Sequence, residues 1–388
     1  MVFWLFYVLF ILFLFILAIE MGSRWYLKKY GKYYVWPPYH KFLFHLDKEI
    51  FPELDEHVRF EINGDGERGN EVPSTNNFYR ILVAGGSPVE CASLDQSKSW
   101  PIVLEKILNK PEHLRIIGKP RVHVGNIGRS GIASAHLDLI FQKILPQYRH
   151  LDAIIIYVGG NDVFQWLQSG APKRYLSPEG SITDCFNYHP EGPFEWKLKS
   201  LAFSTLLKKH WWKWNRPLVE KKGVGKRVKY ARLMRANAKE ILTSIDDPEN
   251  MLNNFEWHFR RIVQNAKFHA DYVLVINQPW FEKKYSAEEA AHIWHGGLGD
   301  VWKGENVTVF YSLDILCKLM RMMNNRANKV ADELCVDRLD LMPILDQGLE
   351  TFYDFVHFTP GGAMVVAESV AKKIISRVGY NFNKNGNF

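Results

Sequence analysis

The strongest constraint on the fold is a set of short runs rich in apolar residues, Ile81 to Ala84, Val122 to Val124, Ile154 to Val158 and Tyr272 to Ile276, spread along the chain. The apolar residues are continuous rather than alternating with polar ones, which predicts strands covered on both faces. A fifth short strand is predicted at Val336 to Leu339, and segments 100–108, 132–144, 312–334 and 361–376 read as helices between and after the strands. Strands buried on both sides and separated by helices predict a parallel sheet inside a three-layer α/β/α fold.

A chain of 388 residues with 47% hydrophobic content can bury a full core, as one large domain or as one domain with an insertion. Val2 to Ile19 is an unbroken apolar run, about 27 Å long as a helix and enough for a thin bilayer. No Lys or Arg precedes it, and Glu20-Met21-Gly22-Ser23 follows where a signal peptide would carry a small-residue cleavage site. Residues 1–20 are therefore expected to be an uncleaved single-pass membrane anchor. Absence of a nearby cysteine excludes a lipoprotein signal. Arg24, Lys28, Lys29 and Lys32 would keep their flank cytoplasmic by the positive-inside rule. That rule is statistical, and the side is left open.

Residues 21–78 form a connector whose stretch from Glu61 to Gly69, dense in Gly, Asn and Asp, reads as a surface loop. The core is expected over 79–380, interrupted at about 165–255 by an insertion containing Trp211-Trp212-Lys213-Trp214. From Lys208 to Arg235 there are eleven Lys and Arg, one Glu and three Trp. That stretch is either a solvated cap surface or an interfacial patch meeting anionic lipids, and a polyanionic glycan is a further partner it would suit. The formal charge of +7 and pI near 9.0 suit an anionic surface, but no finger, basic zipper or RNA-binding signature is present, so no nucleic acid partner is expected. Cys91, Cys185, Cys317 and Cys335 show no metal-ligand spacing and read as buried thiols, with a disulfide left open.

Four islands follow the strands or open the helices: Gly85-Gly86-Ser87, Asn126-Ile127-Gly128-Arg129-Ser130-Gly131, Gly159-Gly160-Asn161-Asp162 and Asp354-Phe355-Val356-His357. Taken singly, each has a plain structural explanation, as a helix cap, a turn or a satisfied polar side chain. Their shared placement at the loop ends of a parallel sheet makes them one candidate site. Ser87 reads as the cap of a helix start with Pro88 in the first helical position, where dipole and backbone N–H groups favour a developing oxyanion. The G-x-S-x-G elbow does not fit, because Val89 takes the second glycine position and Pro88 has no N–H to give. Other donors are required. Gly131, in a turn with three glycines between positions 125 and 131, lets its backbone approach a substrate, and Asn161 offers a side-chain amide. Asp354 and His357, three apart before the last helix, suit a carboxylate that orients an imidazole, and His357 can then take the Ser87 proton and pass it to a leaving alcohol.

With these blocks in order between residues 80 and 376, the chain resembles the SGNH, or GDSL-type, hydrolases. The resemblance implies Ser87 as nucleophile, Gly131 and Asn161 joining the Ser87 N–H in the oxyanion hole, and Asp354 with His357 completing the triad. It also implies a flavodoxin-like five-stranded parallel sheet with the site at the carboxyl ends of its strands. Two departures stand out: Gly86 where the family usually has Asp, and Pro88 where small polar or apolar residues are common. Neither removes a catalytic group. The implied activity is ester cleavage through an acyl-enzyme, with no metal and no organic cofactor. By family habit the acyl group is short, such as O-acetyl on a carbohydrate, and an acylated glycan or a lipid is the expected substrate. An O-acyltransferase using the same five residues is the alternative, followed by an inactive glycan- or lipid-binding module. Oligomeric state is left open.

Overall fold

The structure, a computed structural model, describes residues 2–157, 159–175 and 180–385. Met1 of the expected anchor, Val158 at the end of the third predicted core strand and residues 176–179 of the expected insertion lie outside them. Among the described residues the strands are β1 (Lys41–Leu46), β2 (His57–Glu61), β3 (Tyr79–Gly85), β4 (Val122–Asn126), β5 (Leu151–Tyr157), β6 (Leu218–Val224), β7 (Glu240–Leu242), β8 (Ala270–Ile276), β9 (Val309–Tyr311) and β10 (Asp337–Leu339).

Five of these build the central sheet in the order β10-β8-β5-β3-β4, and each pairing is parallel. Counted along the chain within the sheet, the order is the flavodoxin-like 2-1-3-4-5, whose switch point lies between β3 and β5. Loops leaving these two strands diverge and open a crevice; they carry Ser87 and Asn161. Leu82, Ala84, Ile154, Ile156, Val273 and Val275 pack on one face beneath the Ser134–Ile144, Glu249–His269 and Leu313–Glu333 helices. Ile81, Val83, Ile155, Leu274 and Ile276 pack on the other beneath Trp100–Leu108 and Pro360–Asn385. The Leu313–Glu333 helix shows how local sequence sets these layers. Ser312 caps it through the Ile315 N–H, and Ile315, Leu316, Leu319, Met320, Met323, Ala327 and Val330 recur at helical spacing on its buried side.

Val2–Tyr30 is one unbroken helix, long and apolar enough over Phe3–Tyr30 to cross a membrane, a property that signal sequences share. Its first part is exposed, whereas Glu20, Ser23 and Leu27 are buried against the rest of the protein. The Glu20 carboxylate accepts the N–H groups of Ala202 (3.0 Å) and Phe203 (3.1 Å), capping the Ala202–Asn215 helix, and pairs with Arg24 at 2.8 Å.

A second sheet, β2-β1-β6, joins the two regions outside the core: β1 pairs antiparallel with β2 and parallel with β6. The stretch from Glu61 to Gly69 is not a surface loop. Glu67 and Arg68 are fully buried; the charge of Glu67 is tolerated because it is paired, and that of Arg68 because its guanidinium is hydrogen-bonded to carbonyls and to Gln96. Glu67 accepts from Tyr148 Oη (2.6 Å) and Arg80 (3.2 Å) and faces His123 (3.3 Å). The four cysteines are free thiols; Cys91, Cys185 and Cys317 are buried, while Cys335 is exposed because it follows the end of a helix at the surface.

Candidate active site

β3 ends where it presses on β5: a side chain at Gly85 would meet the Tyr157 carbonyl oxygen at 2.0 Å, so glycine is required there. Gly86, rather than Ser87, occupies the N-cap of the Ser87–Glu90 helix, and Pro88 stands second in that helix instead of first. With a glycine as cap, the Ser87 hydroxyl is not spent on the helix end and turns to His357. The helix is clamped from below by Arg68, whose guanidinium donates to the carbonyls of Glu90, Cys91 (2.7 Å) and Leu94 (2.7 Å).

His357 Nε2 lies 2.7 Å from Ser87 Oγ, and His357 Nδ1 lies 2.7 and 2.9 Å from Asp354 Oδ2 and Oδ1. Asp354 Oδ1 also accepts the N–H groups of Val356 and His357, each at 2.9 Å, and Trp294 Nε1 donates to Oδ2 at 3.2 Å. Burial alone would raise the Asp354 pKa. The facing His357 and the hydrogen bonds outweigh it and hold the carboxyl well below the usual carboxylate range. Tyr353 stacks on the His357 ring with centroids 5.5 Å apart. Behind His357 lies His295, whose ring centroid is 6.1 Å away; burial pushes its pKa down to about 3, so it is a neutral ring at ordinary pH. Nothing in the sequence singles out Trp294. Its acceptor is 60 residues away, and a tryptophan carries no motif that announces a donor.

The turn after β4 is tied to the Ser87–Glu90 helix. Asn126 Nδ2 donates to the Val89 carbonyl (2.7 Å), the Arg129 N–H donates to Gly85 (3.0 Å), and the Ser130 N–H donates to the buried Glu90 carboxylate. Gly131 follows with φ +77°, and no atom lies within 4 Å of where its Cβ would stand, so a methyl there would project into open cleft. Gln165 Nε2 holds the Gly131 carbonyl at 2.8 Å. Asn161 Nδ2 donates to the Ile132 carbonyl at 2.8 Å, which occupies one of its two N–H bonds. Asp162 accepts from Ser134 N (3.0 Å) and Ser134 Oγ (2.5 Å), tying the Gly160–Gln168 helix to Ser134–Ile144, and burial pushes its pKa up to about 6. Among the described residues, the backbone N–H groups of Ser87 and Gly131 have no hydrogen-bond acceptor.

Ser87, Gly131, Asn161, Asp354 and His357 thus line one cleft, a cavity of about 890 Å³. Phe51, Val224 and Arg227, from outside the central sheet, complete its wall together with Trp294 and Trp302. His295, Asp354 and His357 hold ligand-type atoms within 4.8 Å of one another. Both Asp354 oxygens and both His357 ring nitrogens are already hydrogen-bonded within the protein.

No family model and no curated protein matches the chain. Among solved structures it is similar to Axe2, an acetylxylan esterase from Geobacillus stearothermophilus, at 15% identity and a TM-score of 0.41, over 76% of this chain and 94% of that one. It is also similar to LAE5, an alpha/beta hydrolase enzyme from the metagenome of Lake Arreo, Spain, at 12% identity and a TM-score of 0.41, over 76% of this chain and 96% of that one. Similarity at this level assigns no activity.

Proposed function

We propose that this chain is an SGNH-type serine esterase, tethered to a membrane by its N-terminal helix and working through an acyl-enzyme on Ser87. The observation that carries the proposal is the hydrogen-bonded line from Asp354 through His357 to Ser87 Oγ, opening into a cleft that also contains Gly131 and Asn161.

In this reading His357 Nε2 takes the proton of Ser87 as Oγ adds to the ester carbonyl carbon. The ionised Asp354 stabilises the imidazolium that forms. The carbonyl oxygen becomes an oxyanion held by the N–H groups of Ser87 and Gly131 and the remaining N–H of Asn161 Nδ2, a role worth about 3 kcal/mol per donor. Collapse breaks the bond to the alcohol oxygen, which leaves with the proton from His357. Water then adds to the acyl carbon, giving its proton to His357, and Ser87 departs with that proton as the acid is released. Trp294 acts on the reaction through its hydrogen bond to Asp354 Oδ2 and is a positioning residue.

The hydrolase unit in this proposal spans 79–380, with 165–255 as an insertion that contributes cleft wall through Val224 and Arg227. A short acyl group on a carbohydrate is the proposed substrate. Trp302 is partly exposed in the cleft at 5.1 Å from Trp294, and Gln165, Gln168 and Asp300 add polar groups suited to sugar hydroxyls. Assay of acetylated glycans, short-chain esters and lysophospholipids, with and without Ser87→Ala, tests it. Turnover of acetylated glycans that depends on Ser87 is the expected result, and turnover unaffected by Ser87→Ala would overturn the proposal.

A further inference from the structure

We infer that the protein sits on the bilayer through a fixed collar at the foot of its N-terminal helix, formed by residues 194–207 with Trp25, whose partner is the phospholipid headgroup layer. The inference rests on the reading of that helix as a membrane anchor. It differs from the sequence-based expectation, which offered Lys208 to Arg235, with the Trp211 to Trp214 cluster, as either a solvated cap surface or the interfacial patch.

No linker separates the apolar span from the folded protein. The helix continues without a break to Tyr30, and from Glu20 onward it is docked by buried Glu20, Ser23 and Leu27. Glu20, the first polar residue after the apolar run, marks where the hydrocarbon ends, and its carboxylate caps the Ala202–Asn215 helix. The start of that helix is therefore level with the membrane boundary. Arg24, one turn further on, donates to the Phe194 carbonyl at 3.0 Å and lies over the Trp196 ring at 5.1 Å, which brackets Leu198 between the same two levels. At this foot Trp25, Trp196, Leu198 and Phe203 are exposed to 60%, 60%, 82% and 37%. Lys29 lies over the Trp25 ring at 5.3 Å, and Lys197 and Lys199 flank Leu198 in the chain, a charge suited to anionic headgroups.

The Ala202–Asn215 helix then rises away from the apolar run. Lys209 Nζ reaches Tyr34 Oη at 2.6 Å, and Trp212 packs on His40 at 4.6 Å between ring centroids. Trp214 lies twelve residues beyond Ala202, or about 18 Å along the axis, whereas the headgroup layer is roughly 5–8 Å deep on each side. The Trp211 to Trp214 cluster consequently stands above the headgroups. Two arginines of the basic stretch after it are spent inside the protein: Arg232 and Arg235 donate to the carbonyls of Ile50, His292, Tyr353, His295 and Tyr311.

Leu198 and Trp214 are equally exposed, so a matched pair of labels reads their heights directly. In a Cys335→Ser background, which removes the exposed native thiol, Leu198→Cys and Trp214→Cys are each labelled with an environment-sensitive fluorophore. The full chain is reconstituted in phosphatidylcholine and phosphatidylglycerol vesicles carrying a headgroup spin-labelled lipid as quencher. The expected result is that the quencher at least halves emission at 198 and leaves 214 unchanged, in protein that floats with the vesicles and resists alkaline carbonate. Protein that floats and resists carbonate but shows 214 quenched as strongly as 198, or 198 unquenched, overturns the collar and leaves the anchor standing. Protein that fails to float, or is stripped by carbonate, overturns the anchor reading and the collar with it.

Discussion

Replacing Asp162 with asparagine isolates the pH-dependent contribution of a buried carboxyl beside the cleft. An ordinary aspartate ionises near 3.8, and Asp162 is pushed up to about 6 by burial. The difference of about 2 pH units corresponds to roughly 3 kcal/mol. Because the folded pKa is the higher one, the folded chain holds the extra proton. That stabilisation is complete below about pH 3.8 and is lost as pH rises through about 6. Asparagine does not titrate, so this component vanishes in the variant. At acid pH the amide stands in for the protonated carboxyl, since its oxygen accepts one Ser134 donor and its NH2 donates to the Ser134 hydroxyl, which can also accept. Urea unfolding of both proteins, followed by tryptophan fluorescence in chains lacking residues 2–18, gives the stability difference at each pH. The two proteins should be about equally stable near pH 4, and the variant should gain roughly 3 kcal/mol on the wild type by pH 7. A difference that stays flat across this range would refute the assignment of a raised pKa to Asp162.

Three further outcomes are expected. Asn161→Ala should lower kcat about 100-fold with little change in KM, while Gly131→Ala should also raise KM, since its methyl enters open cleft from a backbone at φ +77°; unaltered kinetics in either variant would tell against a donor role. Trp294→Phe should reduce kcat/KM roughly tenfold by removing a hydrogen bond to the Asp354 carboxylate. In wild type Asp354 is held below the usual carboxylate range chiefly by His357, which the variant keeps, so the acid limb of kcat/KM should fit a single ionisation in both proteins, and a kcat/KM unchanged by the substitution would contradict the positioning role. In chains lacking residues 2–18, Glu20→Ala should cost about 1–2 kcal/mol of unfolding free energy through the lost cap on Ala202 and Phe203, and stability unchanged by it would mean that the helix does not dock as described.

The central sheet was legible because its strands are buried on both faces, and continuous apolar runs report that burial directly. The 100–108 helix and the strands around 81–84, 122–124 and 272–276 fall where the sequence puts them, with boundaries within a few residues. β6 was not legible. Its residues Leu218 to Val224 are mostly exposed and include Glu220, Lys221 and Lys222, so no apolar pattern marks it, and its pairing with β1 joins segments far apart in sequence. Burial of Glu67 and Arg68 was hidden for a related reason. Charged residues in a Gly- and Asn-rich stretch are ordinarily solvated, and only the fold brings Arg80, His123, Tyr148 and three carbonyls to them. The five candidate site residues were legible through short motifs and strand ends, whereas the Trp294 donor depends on tertiary proximity alone. The level of the tryptophan cluster relative to the apolar helix required the Glu20 cap, which joins residues 182 apart.

The most direct test of the central claim is to treat the full chain with a fluorophosphonate and locate the adduct by peptide mass spectrometry, in wild type, Ser87→Ala and His357→Ala. A nucleophile activated through His357 at 2.7 Å should give a single adduct, on Ser87, absent from Ser87→Ala and formed far more slowly in His357→Ala. An adduct on another residue, or labelling and ester cleavage that persist in Ser87→Ala, would contradict it.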